Sequence, residues 1–204
     1  MKNRFIFTLT IFCFFLLNGH AHSETRPLAR GARLPDAVFL DHLSKEERSY
    51  LGLSRKTKFS LKDISGTLLL IEVFSTYCTS CPRNVPVLNA VYSSVEDDPA
   101  LRGKVKVISI AVGNTGNEID SFKREYKVLY PVLSDLPFIV HKALGNPRVP
   151  YTILVKKNMK GDVVVDAHQG EIGSPDSVLH NIKSSLSETI SFSAPSRKSK
   201  GHKP

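Results

Sequence analysis

Cys78-Thr79-Ser80-Cys81 places two thiols at the point where an apolar stretch, Leu68 to Phe74, gives way to a helical pattern. Thiols at this spacing can close a short-loop disulfide. The first of them lies near the positive end of the helix dipole, which favours its thiolate. That arrangement suits reversible disulfide exchange. A structural staple and a metal site are the other uses of such a pair. A bridge closing four residues constrains little of the unfolded chain, because the entropic gain grows with loop length. Zinc would need two further ligands at metal-site spacing, and His42, His141, His168, His180 and His202 form no such pattern. A second residue stands out within the strand. Glu72 interrupts Leu68-Leu69-Leu70-Ile71 and Val73-Phe74, a run in which a buried charge is expensive. Either the strand turns it to solvent or to a cation at a sheet end, or it is a buried acid with a raised pKa.

The third cysteine, Cys13, falls in a different kind of segment. Lys2 and Arg4 precede an apolar run from Phe5 to Leu17, and Ala21-His22-Ser23 has the small residues a signal peptidase accepts. Residues 1–23 therefore read as a secretory signal, with cleavage after Ala21 as a close second choice. The run is short for a membrane span, which needs roughly 20 apolar residues, although an uncleaved signal would leave a membrane anchor. Residues 24–190 are enough for one domain with a substantial core. Residues 191–204, rich in Ser, Pro and Lys, read as a basic disordered tail. The net charge of +9 includes Arg197, Lys198, Lys200 and Lys203 in that tail, which could touch an anionic membrane surface. Elsewhere basic residues are scattered and no recognition motif for nucleic acid appears.

The elements that would hold the thiols alternate along the chain. Ala37 to Leu40 reads as a short strand, followed by a polar, poorly patterned stretch to Lys58. Thr67 to Phe74 is almost continuously apolar, as a central parallel strand buried on both faces should be. Val85, Leu88, Val91, Tyr92 and Val95 recur at helical spacing up to Asp97-Asp98-Pro99. Val105 to Val112 is a second buried strand. Asn114 to Asn117 is a turn before an amphipathic helix marked by Ile119, Phe122 and Tyr126. Tyr130 to Leu133 is a third strand and Phe138 to Leu144 a short helix. Tyr151 to Val155 and Asp162 to Val165 flank a hairpin turn at Asn158-Met159-Lys160-Gly161. Ser174-Pro175-Asp176 opens the last helix with an N-cap and a proline at its first position. No internal repeat is visible. This order implies a mixed α/β sheet covered on both faces.

The pattern resembles the thioredoxin superfamily, and within it the exported TlpA/ResA-like thiol-disulfide oxidoreductases, over roughly Leu34 to Leu186. The strand, the loop Thr76-Tyr77 and the motif Cys78-Thr79-Ser80-Cys81-Pro82 match together. Pro86 falls where the family kinks its active-site helix, and Arg148-Val149-Pro150-Tyr151-Thr152-Ile153 looks like the segment carrying the family's cis-proline. Lys160-Gly161 and Gly170 follow at family-like distances. Phe59 to Gly66 resembles the lead-in of the TlpA-like branch, and the segment between Val112 and Pro150 its inserted helix and strand. One departure is the residue before the first cysteine, usually Trp in the family and Tyr77 here. The implied fold is a thioredoxin-like mixed sheet flanked by helices, with a TlpA-like N-terminal extension and a central αβ insertion.

The resemblance implies roles. Cys78 would attack as the exposed nucleophile and Cys81 would resolve the mixed disulfide. Glu72 lies where the family places its buried acid and would pass a proton to and from Cys81. Pro150 would be cis, setting the Val149 backbone beside Cys78 where a substrate strand could pair. Tyr77 would offer partners an aromatic platform. Thr79 and Ser80 would help set the reduction potential through helix-terminal hydrogen bonds. Arg83 is either an aid to the Cys78 thiolate or an exposed surface residue, while His141 and His168 read as surface or packing residues. No cofactor is expected beyond the redox-active disulfide, and no metal. The partners implied are protein thiols and disulfides and a membrane protein that gives or takes electrons; the chain itself is expected to be a monomer. With no histidine between the cysteines the motif leans towards a reductant or an intermediate potential, cytochrome c maturation being the commonest task of the similar branch. A disulfide oxidant or isomerase, and a non-enzymatic copper-handling or adaptor module, are the alternatives. A peroxiredoxin-type peroxidase would need Pro seven residues and Thr three residues before the reactive cysteine, where this chain has Ile71 and Ser75.

Overall fold

The computed structural model describes residues 26–40, 43–53 and 58–188. The expected signal at 1–23 and basic tail at 191–204 lie outside the described residues, as does His42. Strands are β1 (Val38–Leu40), β2 (Lys58–Ser60), β3 (Leu68–Phe74), β4 (Val105–Val112), β5 (Val132–Asp135), β6 (Tyr151–Lys156) and β7 (Val163–Gln169). Helices are α1 (Lys45–Leu51), α2 (Val85–Asp97), α3 (Gly116–Tyr126), α4 (Ile139–Ala143) and α5 (Pro175–Ser187). The main sheet has the order β5-β4-β3-β6-β7. Its first three strands run parallel, β6 is antiparallel to β3, and β7 is antiparallel to β6. β1 and β2 form a separate antiparallel pair.

β3 lies at the centre and every residue in it is buried. Because side chains alternate across a strand, it feeds two cores. Leu69, Ile71 and Val73 join Phe39, Leu51, Phe59 and Val140 on one face. Leu68, Leu70 and Phe74 join Cys81, Val85, Leu88, Val91, Phe122 and Ile182 on the other. Glu72 belongs by alternation to this second face, the one covered by α2 and α5.

Three local outcomes differ from the sequence expectation, each for a local reason. The stretch before Lys58 contains α1, a seven-residue helix too short to show periodicity. It is set by a capping box, with the Ser44 hydroxyl accepting from the Glu47 N–H and the Glu47 carboxylate accepting from the Ser44 N–H, and by Gly52 in the left-handed conformation at its end. The third strand begins at Val132 rather than Tyr130, because Pro131 has no N–H to give the ladder; its carbonyl accepts from Ser109 N, and the Tyr130 ring is buried instead. Pro86 does not interrupt a continuous helix. It lies in the first turn of α2, where a 3-10 turn over Cys81–Asn84 hands over to the α-helix, a position at which its missing N–H leaves no bond unmade.

Candidate functional site

Cys78 and Cys81 form a disulfide, their Cα atoms 5.5 Å apart. The two sulfurs are unequally placed. Cys81 opens the 3-10 turn and is 1% exposed, whereas Cys78 sits half-buried in the preceding loop. The backbone N–H of Cys81 donates to Cys78 Sγ at 3.2 Å, and Ser80 Oγ lies 3.4 Å from the same atom. When the disulfide opens, both groups favour charge on Cys78.

The loop carrying Cys78 is held by β4's end. Asn114 is fully buried. Its carboxamide oxygen accepts from Thr76 N at 3.0 Å and from Ser75 Oγ at 3.3 Å, and its nitrogen donates to Thr76 Oγ1 at 2.6 Å. Cys78 N donates to Ser75 O at 3.0 Å, closing the turn. Across from the motif the Val149-Pro150 bond is cis. The Val149 carbonyl oxygen is 3.8 Å from Cys78 Sγ. Gln169 Nε2 donates to the carbonyls of Arg148 and Pro150 at 2.7 and 2.8 Å, and Gly170 N to that of Pro150 at 2.9 Å.

Glu72 is 2% exposed. Asn84 Nδ2 donates to its Oε1 at 2.9 Å and Ser109 Oγ to its Oε2 at 2.9 Å. Burial pushes the carboxyl up to about 7, against the opposing pull of these two hydrogen bonds. Asn84 belongs to the same 3-10 turn as Cys81, and its Oδ1 accepts from Ile172 N at 3.0 Å. One buried carboxamide therefore ties the acid to the turn that carries the inner cysteine.

The remaining predicted positions fall around this centre. Tyr77 is 72% exposed and donates its hydroxyl to Glu118, a bond that, ahead of those from Thr115, holds the Glu118 carboxyl well below the usual range. Thr79 is exposed and Ser80 half-buried. Arg83 pairs at the surface with Glu171 at 2.6 Å. His141 and His168 each bond a backbone carbonyl through Nε2, those of Pro147 and Glu171. Asn84, Ser109 and Asn114 hold the site without being singled out by the sequence pattern. A signal existed for Ser109, a polar residue inside the apolar run Val105–Val112 that pairs directly with Glu72. Asn84 and Asn114 sit in sequence contexts that read as ordinary turn and cap positions.

Among the described residues no group of three or more His, Cys, Asp or Glu side chains could hold a metal ion, and no helix is long and apolar enough to cross a membrane.

A model of the AhpC/TSA family matches residues 49–166. The thiol-disulfide oxidoreductase ResA of Geobacillus thermodenitrificans is 25% identical over 138 residues, covering 68% of this chain and 70% of that protein. The ResA of Bacillus thuringiensis subsp. konkukian is 25% identical over 177 residues, covering 83% and 90%. Among solved structures, the thioredoxin domain of a thiol-disulfide oxidoreductase from Bacteroides vulgatus superposes with a TM-score of 0.58 at 16% identity, over 78% of this chain and 99% of that one. The shared fold is thus thioredoxin-like, with the mixed sheet and flanking helices described above.

Proposed function

The chain belongs to the AhpC/TSA family and is a thiol-disulfide oxidoreductase; we propose that it works outside the cytoplasm as a reductant of protein disulfides, of the kind that serves cytochrome c maturation. The observation that carries the reading is one disulfide with an accessible sulfur and a buried one, the buried one sharing its turn with the partner of a buried acid.

The proposed cycle follows from that asymmetry. In the reduced protein the Cys78 thiolate attacks one sulfur of a partner disulfide, forming a mixed disulfide and releasing one partner thiolate. The Cys81 thiol gives its proton to ionised Glu72 and attacks Cys78 Sγ. The Cys78–Cys81 disulfide forms, the second partner thiolate leaves, and two electrons have passed to the partner. A membrane protein then returns two electrons, and Glu72 returns a proton to Cys81. With a carboxyl that ionises at about 7, Glu72 is matched to both directions near neutral pH. Val149 offers its backbone beside Cys78, in reach of a partner strand, and Tyr77, Thr79 and Ser80 frame the approach.

Export rests on the leader-like residues 1–23. The uncharged Thr79 and Ser80 between the cysteines favour a reducing potential over an oxidising one. The test is the reduction potential of the Cys78/Cys81 pair, with an insulin-reduction assay and a copper titration of the reduced protein. A potential near about −270 mV with insulin reduction supports the reductant; a value near roughly −120 mV makes it an oxidant. Tight copper binding with no reductase activity would overturn the reading altogether.

A further inference from the structure

Glu72 is sealed from solvent, yet a carboxyl that trades protons with Cys81 must also trade them with water. The sheet offers a route. Register pairs Glu72 of β3 with Ser109 of β4 on one side and with Thr152 of β6 on the other, and Thr152 pairs in turn with His168 of β7. Residues paired in this way project from the same face of the sheet. Four polar residues therefore form one row across four strands, from the centre to the exposed edge. Cross-strand neighbours stand about 4.5–5.5 Å apart at Cβ in antiparallel pairs, a spacing that one water molecule can bridge.

Thr152 is the unexplained member. It is 6% exposed, and its Oγ1 has no hydrogen-bond partner among the described residues. A buried hydroxyl left that way costs about 1–3 kcal/mol. Thr152 lines a cavity of about 140 Å³ between α5 and strands β6 and β7, together with Asp166, His168, Ser177 and Asn181. A single water needs roughly 10–15 Å³ and two to four polar partners, so the cavity has room and bonding groups for several. Ile172, also on its wall, donates its N–H to the same Asn84 that holds Glu72. His168 is exposed at its rim and anchored to the Glu171 carbonyl at 2.7 Å.

We propose that water in this cavity links Glu72 through the Thr152 hydroxyl to solvent at His168, so that the proton exchanged with Cys81 enters and leaves along the cross-strand row. The step is proton transfer alone: Cys81 gives its proton to Glu72, Glu72 passes one to the chain of hydroxyl and water, and one appears in bulk solvent beside His168. Thr152 is a positioning residue for that chain. The proposal rests on Glu72 being the proton carrier for Cys81.

The experiment follows two signals after mixing the reduced full-length protein with one equivalent of an aromatic disulfide whose two thiolate products stay ionised at pH 6, so that the proton lost by Cys81 is the one released: disulfide formation by the absorbance of the aromatic thiolate, and proton release by a pH-indicator dye in weak buffer. In Thr152→Val proton release lags several-fold and turnover near pH 6 falls by a similar factor, with the reduction potential unchanged; Thr152→Ser restores both. His168→Gln, at an exposed site that leaves folding intact, slows proton release in weak buffer and is rescued by added imidazole. If Glu72→Gln slows resolution while Thr152→Val and His168→Gln behave as wild type, the relay is overturned and the role of Glu72 stands. If Glu72→Gln itself leaves resolution unchanged, the role of Glu72 fails and the relay with it.

Discussion

Replacing Glu72 by glutamine removes a buried ionisable group while keeping its size. The amide oxygen can still accept from Asn84 Nδ2, and the amide nitrogen can donate to Ser109 Oγ once that hydroxyl rotates. What disappears is the titration. Burial raises the carboxyl from 4.5 to about 7. Between those values the folded chain holds more protons than the unfolded one, so stability falls as pH rises through that window. The contribution is fully present below about pH 4.5 and lost once pH passes about 7. At about 1.4 kcal/mol for each pH unit of difference, the full change is on the order of 3 kcal/mol, of which about 2–3 kcal/mol falls between pH 5 and pH 8. Guanidinium unfolding of the oxidised wild type and of Glu72→Gln at pH 5 and pH 8 measures it, because every other titrating group is common to both proteins. The expected outcome is that the variant gains about 2–3 kcal/mol on wild type between the two pH values. Parallel pH dependence in the two proteins would refute the claim that Glu72 is a buried, solvent-starved acid.

Further outcomes follow from the same geometry. Asn84→Ala strips one donor from Glu72 and leaves the Ile172 N–H unpaired; stability should fall by about 1–3 kcal/mol, and the pH window of the Glu72 effect should move upward, read from the same unfolding series. Asn114→Ala removes the bonds that brace Ser75 and Thr76; a stability loss of about 2 kcal/mol by denaturant unfolding should accompany slower disulfide exchange. Gly113→Ala places a Cβ 2.5 Å from the Phe138 ring at a φ of +68°, and should lower stability by about 1–3 kcal/mol with little effect on the reduction potential.

Much of this was legible in the sequence because the features are local or periodic. The continuous apolar run around Glu72 marks a strand buried on both faces, and the run Val105–Val112 coincides with β4 for the same reason. Ser174-Pro175 marked the start of α5 through cap chemistry alone. What escaped had local causes at α1 and β5 and tertiary ones around the site. α1 is held by one capping box and by packing of Leu51, which no periodicity test on seven residues detects. The start of β5 was decided by Pro131 in the ladder, not by hydrophobicity. The carboxamides around the site, Asn84 and Asn114, carry no local signature, since their partners lie 12 and 38 or more residues away. Glu72 was legible as an anomaly, but Ser109 and Thr152 gain meaning only once strand register sets them on either side of it.

The most direct test of the central claim is covalent. Cys81→Ser leaves Cys78 able to attack and unable to be released, so the reduced variant mixed with an oxidised peptide carrying a Cys-Xaa-Xaa-Cys-His sequence, the haem-attachment pattern, should yield a stable mixed disulfide at Cys78, located by mass spectrometry of the digest. The adduct should be absent from Cys78→Ser and should be cleared by resolution in wild type. If Cys81→Ser forms no adduct, or if Cys78→Ser traps the peptide equally well, Cys78 is not the attacking thiol and the proposed cycle is wrong.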